Sequence, residues 1–452
     1  MEKISRREAE PMITRGKRLT ALLCAAAMAL TLLPGRVWAE TAALPEEDDF
    51  LSASVTCGNP LYPELGVEES VSYDAPEAVT LAAEDAIGDG STFATIEEAA
   101  AYVRQQFRAR EQMLFFYTGY PEGGPLAPLD EVDQSANYTE NEQALVDGGA
   151  SHQDIIQRRR LTRYLTTLVR QQLLPEAFRH DPKDPTGGDY MRYQYSKVRY
   201  SASWYGGVFG VTITFTYFTT AQQEAELDMA TAELLNYLGV KGMTDYGKLK
   251  AIYGWVCDHV TYDYENLTDD TYLLMRSAYA AMIHKTAICQ GYAVLLYRLS
   301  LMAGLDVRIV KGTGRGQPHG WNLVRMGPNW YFADSTWDAG RKGWSWFLKP
   351  TLDYHQLDDE DAAMTVRYPL GSADFSPEAL AGERGKLNGG GDADVTDMQL
   401  LYDYLTTDAV PEGARDDGVF TFAADMNGDE YIDVYDLQAL YETISSLRKA
   451  AA

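Results

Sequence analysis

A thiol, an imidazole and a carboxylate stand in chain order at Cys289, His319 and Asp334, 30 and then 15 residues apart. Each falls where the local pattern predicts the end of a helix or strand. From Gln290 to Ala303, apolar residues recur at helical spacing (Ala293, Leu296, Tyr297, Leu299, Leu301, Met302), and the run stops at Gly304, a good C-cap. Cys289 is therefore expected at a helix N-terminus, where free N–H groups and the macrodipole favour a thiolate. Asp306 to Val310 reads as a strand, and Trp321–Arg325 and Trp330–Asp334 read as a hairpin turning at Met326-Gly327-Pro328-Asn329. His319 begins the first hairpin strand and Asp334 ends the second, which makes them neighbours in an antiparallel pair. A thiol becomes a good nucleophile when an imidazole draws off its proton, and the imidazole needs a third group to hold its tautomer. A fold that uses these residues together must bring one helix start against one end of one hairpin.

On Cys289-Gln290-Gly291-Tyr292-Ala293, His319-Gly320-Trp321-Asn322-Leu323-Val324 and Asp334-Ser335-Thr336-Trp337-Asp338, the chain resembles the transglutaminase-like branch of papain-type thiol enzymes, over roughly Asp245 to Lys349. Ala287 stands where many relatives carry glycine. The resemblance implies Cys289 as nucleophile, His319 as general base and acid, and Asp334 as orienting carboxylate. It also implies an α+β papain-like core, in which the helix bearing the cysteine packs on an antiparallel sheet bearing the histidine and aspartate. Taken singly, such a cysteine reads as a small buried hydrophobe, and such a histidine or aspartate as a surface or capping residue. Their joint order in an aromatic-rich hairpin favours catalysis. Relatives pair a backbone N–H at the cysteine with an upstream side chain to hold an oxyanion; Trp255 and Tyr262 lie upstream here but read as core.

At 452 residues and a formal charge of −27 the chain holds two or three domains with an acidic surface. That charge argues against nucleic acid and anionic membrane as partners and is compatible with calcium. Arg15, Lys17 and Arg18 precede an apolar run from Leu19 to Leu33, and Val37-Trp38-Ala39 offers a cleavage site, the pattern of a secretory signal. Cys24 lacks the small residue expected before a lipidated cysteine. Cleavage after Ala39 leaves Cys57, Cys257 and Cys289, so at least one thiol is free. Cys257 sits in an apolar helical pattern and reads as core rather than as a disulfide partner of Cys57. Residues 40–90 read as an acidic leader with little structure of its own, apart from a short β-like patch at Leu51 to Cys57. Beyond it, a helix opens at Thr95 and runs to about Glu111, Met113–Tyr117 is a strand, Gln153 to Leu174 is a helix, and Tyr190 to Thr219 is a long hairpin. Ala221–Leu238 and Asp245–Thr261 read as helices that pack against the Cys289 helix.

The second constellation is Asp425-Met426-Asn427-Gly428-Asp429-Glu430-Tyr431-Ile432-Asp433-Val434-Tyr435-Asp436, followed by a helix to about Leu447. Asp425, Asn427, Asp429, Asp433 and Asp436, with the Tyr431 carbonyl, match the oxygen cage that Ca²⁺ takes. Glu430 replaces the usual glycine. The loop resembles a dockerin repeat, a module that docks secreted enzymes onto cohesins of a scaffold. Its expected partner repeat supplies Asn388, Asp392, Asp394 and Asp397, with Lys386 and Gly390 in place of two ligands. Few apolar residues flank these loops, so folding of the module is expected to depend on calcium; the alternative to cohesin docking is a calcium-stabilised tail.

The expected organisation is a signal peptide (1–39), leader (40–90), N-terminal α+β region (91–219), catalytic domain (220–356), linker (357–384) and small all-α, EF-hand-like dockerin pair (385–448). The expected function is that of a secreted thiol enzyme performing acyl transfer on peptide or protein amides, with hydrolysis favoured over protein-glutamine transamidation. A non-catalytic binding module on the same fold is the alternative from another class. Expected partners are a peptide or protein substrate and a scaffold cohesin, with no nucleic acid and, in the mature form, no membrane. Calcium is the one cofactor expected, and none serves catalysis.

Overall fold

Alternating apolar residues on one face organise the first sheet. The computed structural model describes residues 51–73, 92–118, 126–205, 208–269 and 271–451. The expected signal segment and most of the leader lie outside them. Strands β1 (Leu51–Gly58), β2 (Ser70–Ser72), β3 (Thr92–Phe93), β4 (Met113–Thr118), β5 (Tyr195–Tyr205) and β6 (Val208–Tyr217) join in the order β2-β1-β5-β6-β4-β3. Only β3 and β4 run parallel. Helices α1 (Ile96–Arg108) and α2 (His152–Thr166) lay Val103, Phe107, Leu161 and Leu165 on the face formed by Val55, Phe116, Tyr200 and Ile213. Thr95 caps α1 as its sequence suggests, accepting from the Glu98 N–H. The helix stops at Arg108 rather than near Glu111, because Arg110 takes a φ of 58°.

Two expectations for this region change. The stretch 51–73 is not part of a structureless leader. Leu51 to Gly58 pairs with β5 along its whole length, and Ala53, Val55 and Cys57 alternate into the core. Apolar alternation outweighs the acidic composition of its surroundings. The Asn59 amide then donates to the Arg192 and Tyr195 carbonyls, fixing the strand's exit. The long hairpin begins at Tyr195, not Tyr190, since Asp189–Arg192 forms one helical turn whose Asp189 carboxylate binds the Arg308 guanidinium.

The second half centres on one buried helix. α3 (Ala221–Leu238) and α4 (Asp245–His259) lead to the short parallel pair β7 (Thr261–Tyr262) and β8 (Thr286–Ala287), and then to α5 (Cys289–Met302). β9 (Val307–Gly314), β10 (Gln317–Met326), β11 (Asn329–Ala333), the turn of helix α6 (Ser335–Asp338) and β12 (His355–Leu357) complete it, in an antiparallel sheet ordered β11-β10-β9-β12. Every residue of α5 from Cys289 to Leu301 is buried. Even Arg298 is enclosed, because Tyr190, Glu224 and Asp228 supply its partners. Helix α5 is therefore a central pillar rather than a one-faced amphipathic helix. Among the described residues no helix is long and apolar enough to cross a membrane.

The expected linker, 357–384, is packed. Leu357 ends β12, Asp361 lies buried against the Lys311 N–H, and Phe375 contacts Tyr331 and Phe422. Its sparse apolar residues act as anchors. The C-terminal module also departs from expectation. α7 (Val395–Thr407), α8 (Phe420–Ala424) and α9 (Val434–Ala451) enclose Leu387, Leu401, Tyr404, Phe420, Ile432, Leu440 and Ile444 in a core of their own. The premise that few apolar residues support the module does not hold.

Gly312 is where β12 can lie against β9, since a Cβ there would overlap the Gln356 carbonyl. Gly312→Ala should cost about 1–3 kcal/mol in urea unfolding and remove amide-exchange protection from His355 to Leu357.

Candidate active site

Cys289 is the first residue of α5 and is 3% exposed. Ile288 precedes it and has no side-chain oxygen to cap the helix, so the first-turn N–H groups stay without a side-chain partner. A Cβ on Gly291 would lie 2.7 Å from the Ala287 Cβ and 2.9 Å from the Met275 carbonyl. Glycine there lets the helix start press against β8 and the preceding turn. The thiol lies 3.2 Å from the Gln290 amide oxygen, to which it donates.

His319 is the third residue of β10 rather than its first. The β10–β11 register starts at Asn322 opposite Ala333, so His319 extends past the end of β11 and faces α6. Asp334 sits at the junction of β11 and α6, fully buried. His319 Nε2 lies 2.7 Å from Asp334 Oδ2, and the Cys289 thiol is near enough to the same imidazole to act on its basicity. Of the three residues expected to act together, His319 and Asp334 are hydrogen-bonded, and Cys289 lies near the imidazole.

Burial opposes charge on His319, but the Asp334 carboxylate and then the Cys289 thiol raise its pKa from 6.5 to about 10. Burial likewise opposes charge on Asp334, and His319 and then His355 bring it down from 3.8 to about 2. The carboxylate's other oxygen, Oδ1, accepts from the Thr336 N–H at 2.9 Å and the Trp337 N–H at 3.2 Å.

His355 lies outside the sequence motifs, yet its Nε2 is 3.0 Å from Asp334 Oδ2. It follows the last family-like motif in a stretch without periodicity, so nothing in its local sequence marks it. Asn322 belongs to the histidine motif. Its amide donates to the Ala293 carbonyl at 3.0 Å, one turn beyond the cysteine, and so ties the histidine strand to the cysteine helix. Among the described residues, His319, Asp334 and His355 are the one trio of His, Cys, Asp or Glu whose binding atoms lie within 4.8 Å of one another. Their short separations are those of proton-bridged pairs. Trp255 stacks on His259 beneath the Lys285 ammonium, as a packing residue would. Tyr262 is half-buried, and its hydroxyl is made less acidic by burial and then by Cys289.

The two acidic loops have a common design. In the second, Asp425 accepts from the N–H groups of Gly428 and Glu430, and Asp429 from that of Tyr431. Asp436, fully buried, accepts from Met426 and Asp433. Asn427 accepts from the Asp429 N–H, and Asp433 caps α9 at Tyr435. In the first, Asp397 is equally buried and accepts from the Asn388 and Asp394 N–H groups. Asp394 caps α7, and Asp392 stays exposed. Burial raises the pKa of Asp425 and of Asp436, and neighbouring carboxylates (Asp429 and Asp425, respectively) add to it. In both loops the buried carboxylates are taken up by backbone N–H groups, and among the described residues neither loop brings three acidic ligand atoms within 4.8 Å of one another. Glu430, in the place of the expected glycine, holds a φ of 71°, and its carboxylate pairs with Lys250 of α4.

Residues 233–335 match the model of the Transglutaminase-like superfamily. The chain therefore carries a transglutaminase-like domain there, and that segment contains Cys289, His319 and Asp334. The Kyphoscoliosis peptidase of Homo sapiens is 27% identical over 136 residues, which cover 27% of this chain and 20% of that protein. The Kyphoscoliosis peptidase of Mus musculus is 29% identical over 120 residues, covering 24% and 18%. The chain thus spans about a fifth of the length of these curated relatives. A solved structure described as "Crystal structure of a TGase" aligns at 23% identity with a TM-score of 0.24, covering 30% of this chain and 44% of that one.

The buried His319–Asp334 pair should imprint itself on stability. Asp334 is depressed from 3.8 to about 2, so its contribution is full above pH 4 and fades as pH falls toward 2. His319 is raised from 6.5 to about 10, so its contribution is full below pH 6.5 and fades as pH rises toward 10. Urea midpoints measured from pH 2 to 10 should decline at both ends, and Asp334→Asn should flatten both declines.

Proposed function

We propose that this chain is a secreted thiol enzyme that transfers acyl groups from peptide or protein amides, by hydrolysis. The observation that carries this reading is one imidazole, that of His319, bonded to the buried Asp334 carboxylate and near enough to Cys289 that the thiol adds to its basicity. Cys289 gives its proton to His319 and attacks the amide carbonyl, forming a carbon–sulfur bond. His319 returns the proton to the leaving nitrogen as the carbon–nitrogen bond breaks. Water, deprotonated by His319, then displaces the thiolate and releases the acid. Backbone N–H groups at the start of α5 are the donors available for the developing oxyanion. The peptidase relatives favour water as acceptor over the amine that transamidation would use. Catalysis needs no metal in this scheme.

Calcium belongs to the C-terminal module in this reading. Asp425, Asn427, Asp429, Asp433, Asp436 and the Tyr431 carbonyl would hold one ion, and Asn388, Asp392, Asp394 and Asp397 a second, weaker one. A bound ion would neutralise the loop carboxylates. A groove between α7 and α9 repeats its lining at an interval of 39 residues: Val395 with Val434, Met398 with Leu437, Tyr402 with Tyr441. Such a paired apolar face, with both tyrosines more than half exposed, suits docking onto a scaffold cohesin better than a merely structural tail.

Iodoacetamide should label Cys289 rapidly below pH 8 and not label Cys289→Ser. His319→Ala should slow it by about 10²–10⁴-fold. An ordinary thiol profile at Cys289 would leave the non-catalytic binding reading in its place. Turnover of amide substrates with and without added amine then separates hydrolysis from transamidation. For the module, a cohesin pull-down should succeed with calcium and fail with chelator, and Asp436→Ala should fail in both.

A further inference from the structure

The mechanism above uses one imidazole on Asp334, yet the carboxylate carries two. His355 Nε2 sits 3.0 Å from Oδ2, the same oxygen that His319 Nε2 approaches at 2.7 Å. The His355 side chain is 3% exposed. Its Nδ1 lies 2.9 Å from the Asp353 carbonyl oxygen, so both ring nitrogens face oxygen acceptors. The ring is flanked by Trp337 at 4.2 Å and, edge to face, by Trp321 at 4.8 Å, and β12 is anchored to β9 at His355 opposite Gly314. These are the surroundings of a ring held still, with an oxygen at each nitrogen.

We propose that His355 is a positioning residue that donates to Asp334 Oδ2, divides that oxygen between two imidazoles, and so sets the basicity of His319. A carboxylate oxygen has a fixed charge to share. With His355 donating, part of it is already engaged, and His319 feels a weaker anion than a lone aspartate would present. Removing the donor leaves the whole charge to His319 and makes that imidazole more basic. A general base works best with a pKa near the operating pH, so moderating a strong carboxylate keeps His319 able to release its proton. Other titratable or charged groups also face the cluster: Cys289 on α5, Tyr253 and Cys257 on α4, Tyr262 on β7, Asp338 on α6, and Arg315, which lies over the Trp337 ring. None of these shares the Asp334 oxygen. The inference rests on reading His319 as the base for Cys289.

The test is a ¹⁵N titration of the imidazoles in the full chain, which needs no turnover. His355→Leu should move the His319 midpoint upward by about one unit, a tenfold gain in proton affinity. His355→Gln, which keeps an N–H donor, should leave it near the wild-type value. A folded His355→Leu with an unchanged or lowered His319 midpoint would overturn the proposal; a purely structural role would lower unfolding midpoints without moving that titration. Should the leucine variant not fold, the wild-type spectrum decides. A slowly exchanging proton on His355 Nε2 supports the assignment, and a bare Nε2 there ends it. Absence of fast Cys289 labelling would instead remove the enzyme reading and leave the His355–Asp334 bond standing, so the two failures can be told apart.

Discussion

Asp334 has no exposure to solvent, and its carboxylate accepts from Thr336 and Trp337 at one oxygen and from His319 and His355 at the other. A buried charge without such partners costs several kcal/mol, so the elements supplying them are constrained together. The α6 turn must start where it does to present two N–H groups. β10 must run past the end of β11 to bring up His319, and β12 must return to the sheet edge to bring up His355. The Asp334 N–H, in turn, is held by the Trp346 carbonyl, which closes the loop between them. The positions of several strand ends follow from satisfying this one group.

The cysteine side is fixed by packing rather than charge. Helix α5 is enclosed all around, so its start cannot shift without opening the core, and Asn322 links it to the histidine strand. The N-terminal region takes part as well. Tyr190 holds Arg298 on one flank of α5, and Asp189 binds Arg308 on β9. Those contacts make the first sheet and the site-bearing domain mutual supports.

Much of the site could be read from sequence because its parts sit at element ends that periodicity marks. The cysteine before an apolar helical run and the hairpin with its Gly-Pro turn are local signals, and the chain order of Cys289, His319 and Asp334 did the rest. His355 could not be read this way. Its role comes from a three-residue strand joined to β9 through a glycine, a long-range pairing with no pattern of its own. Leu51 to Gly58 was visible as a β-like patch, but its place inside the sheet depends on a partner almost 150 residues away. The C-terminal core is illegible for another reason: Leu387, Leu401, Leu440 and Ile444 are scattered along acidic sequence and become neighbours only when α7 and α9 pair.

The second acidic loop is joined to the start of α4 by two main-chain bonds, Thr244 N–H to the Glu430 carbonyl and Ile432 N–H to the Gly242 carbonyl, and by the Lys250–Glu430 ion pair. A module hung on a slack tether lets its enzyme swing through every orientation. Here the tether is replaced by a splice, and α4 packs directly on the cysteine helix. A partner gripping the α7–α9 face would therefore also aim the Cys289-bearing domain, presenting it to neighbouring surfaces at one set angle. Reach would be lost and aim gained, which suits a target fixed in place more than one arriving by diffusion.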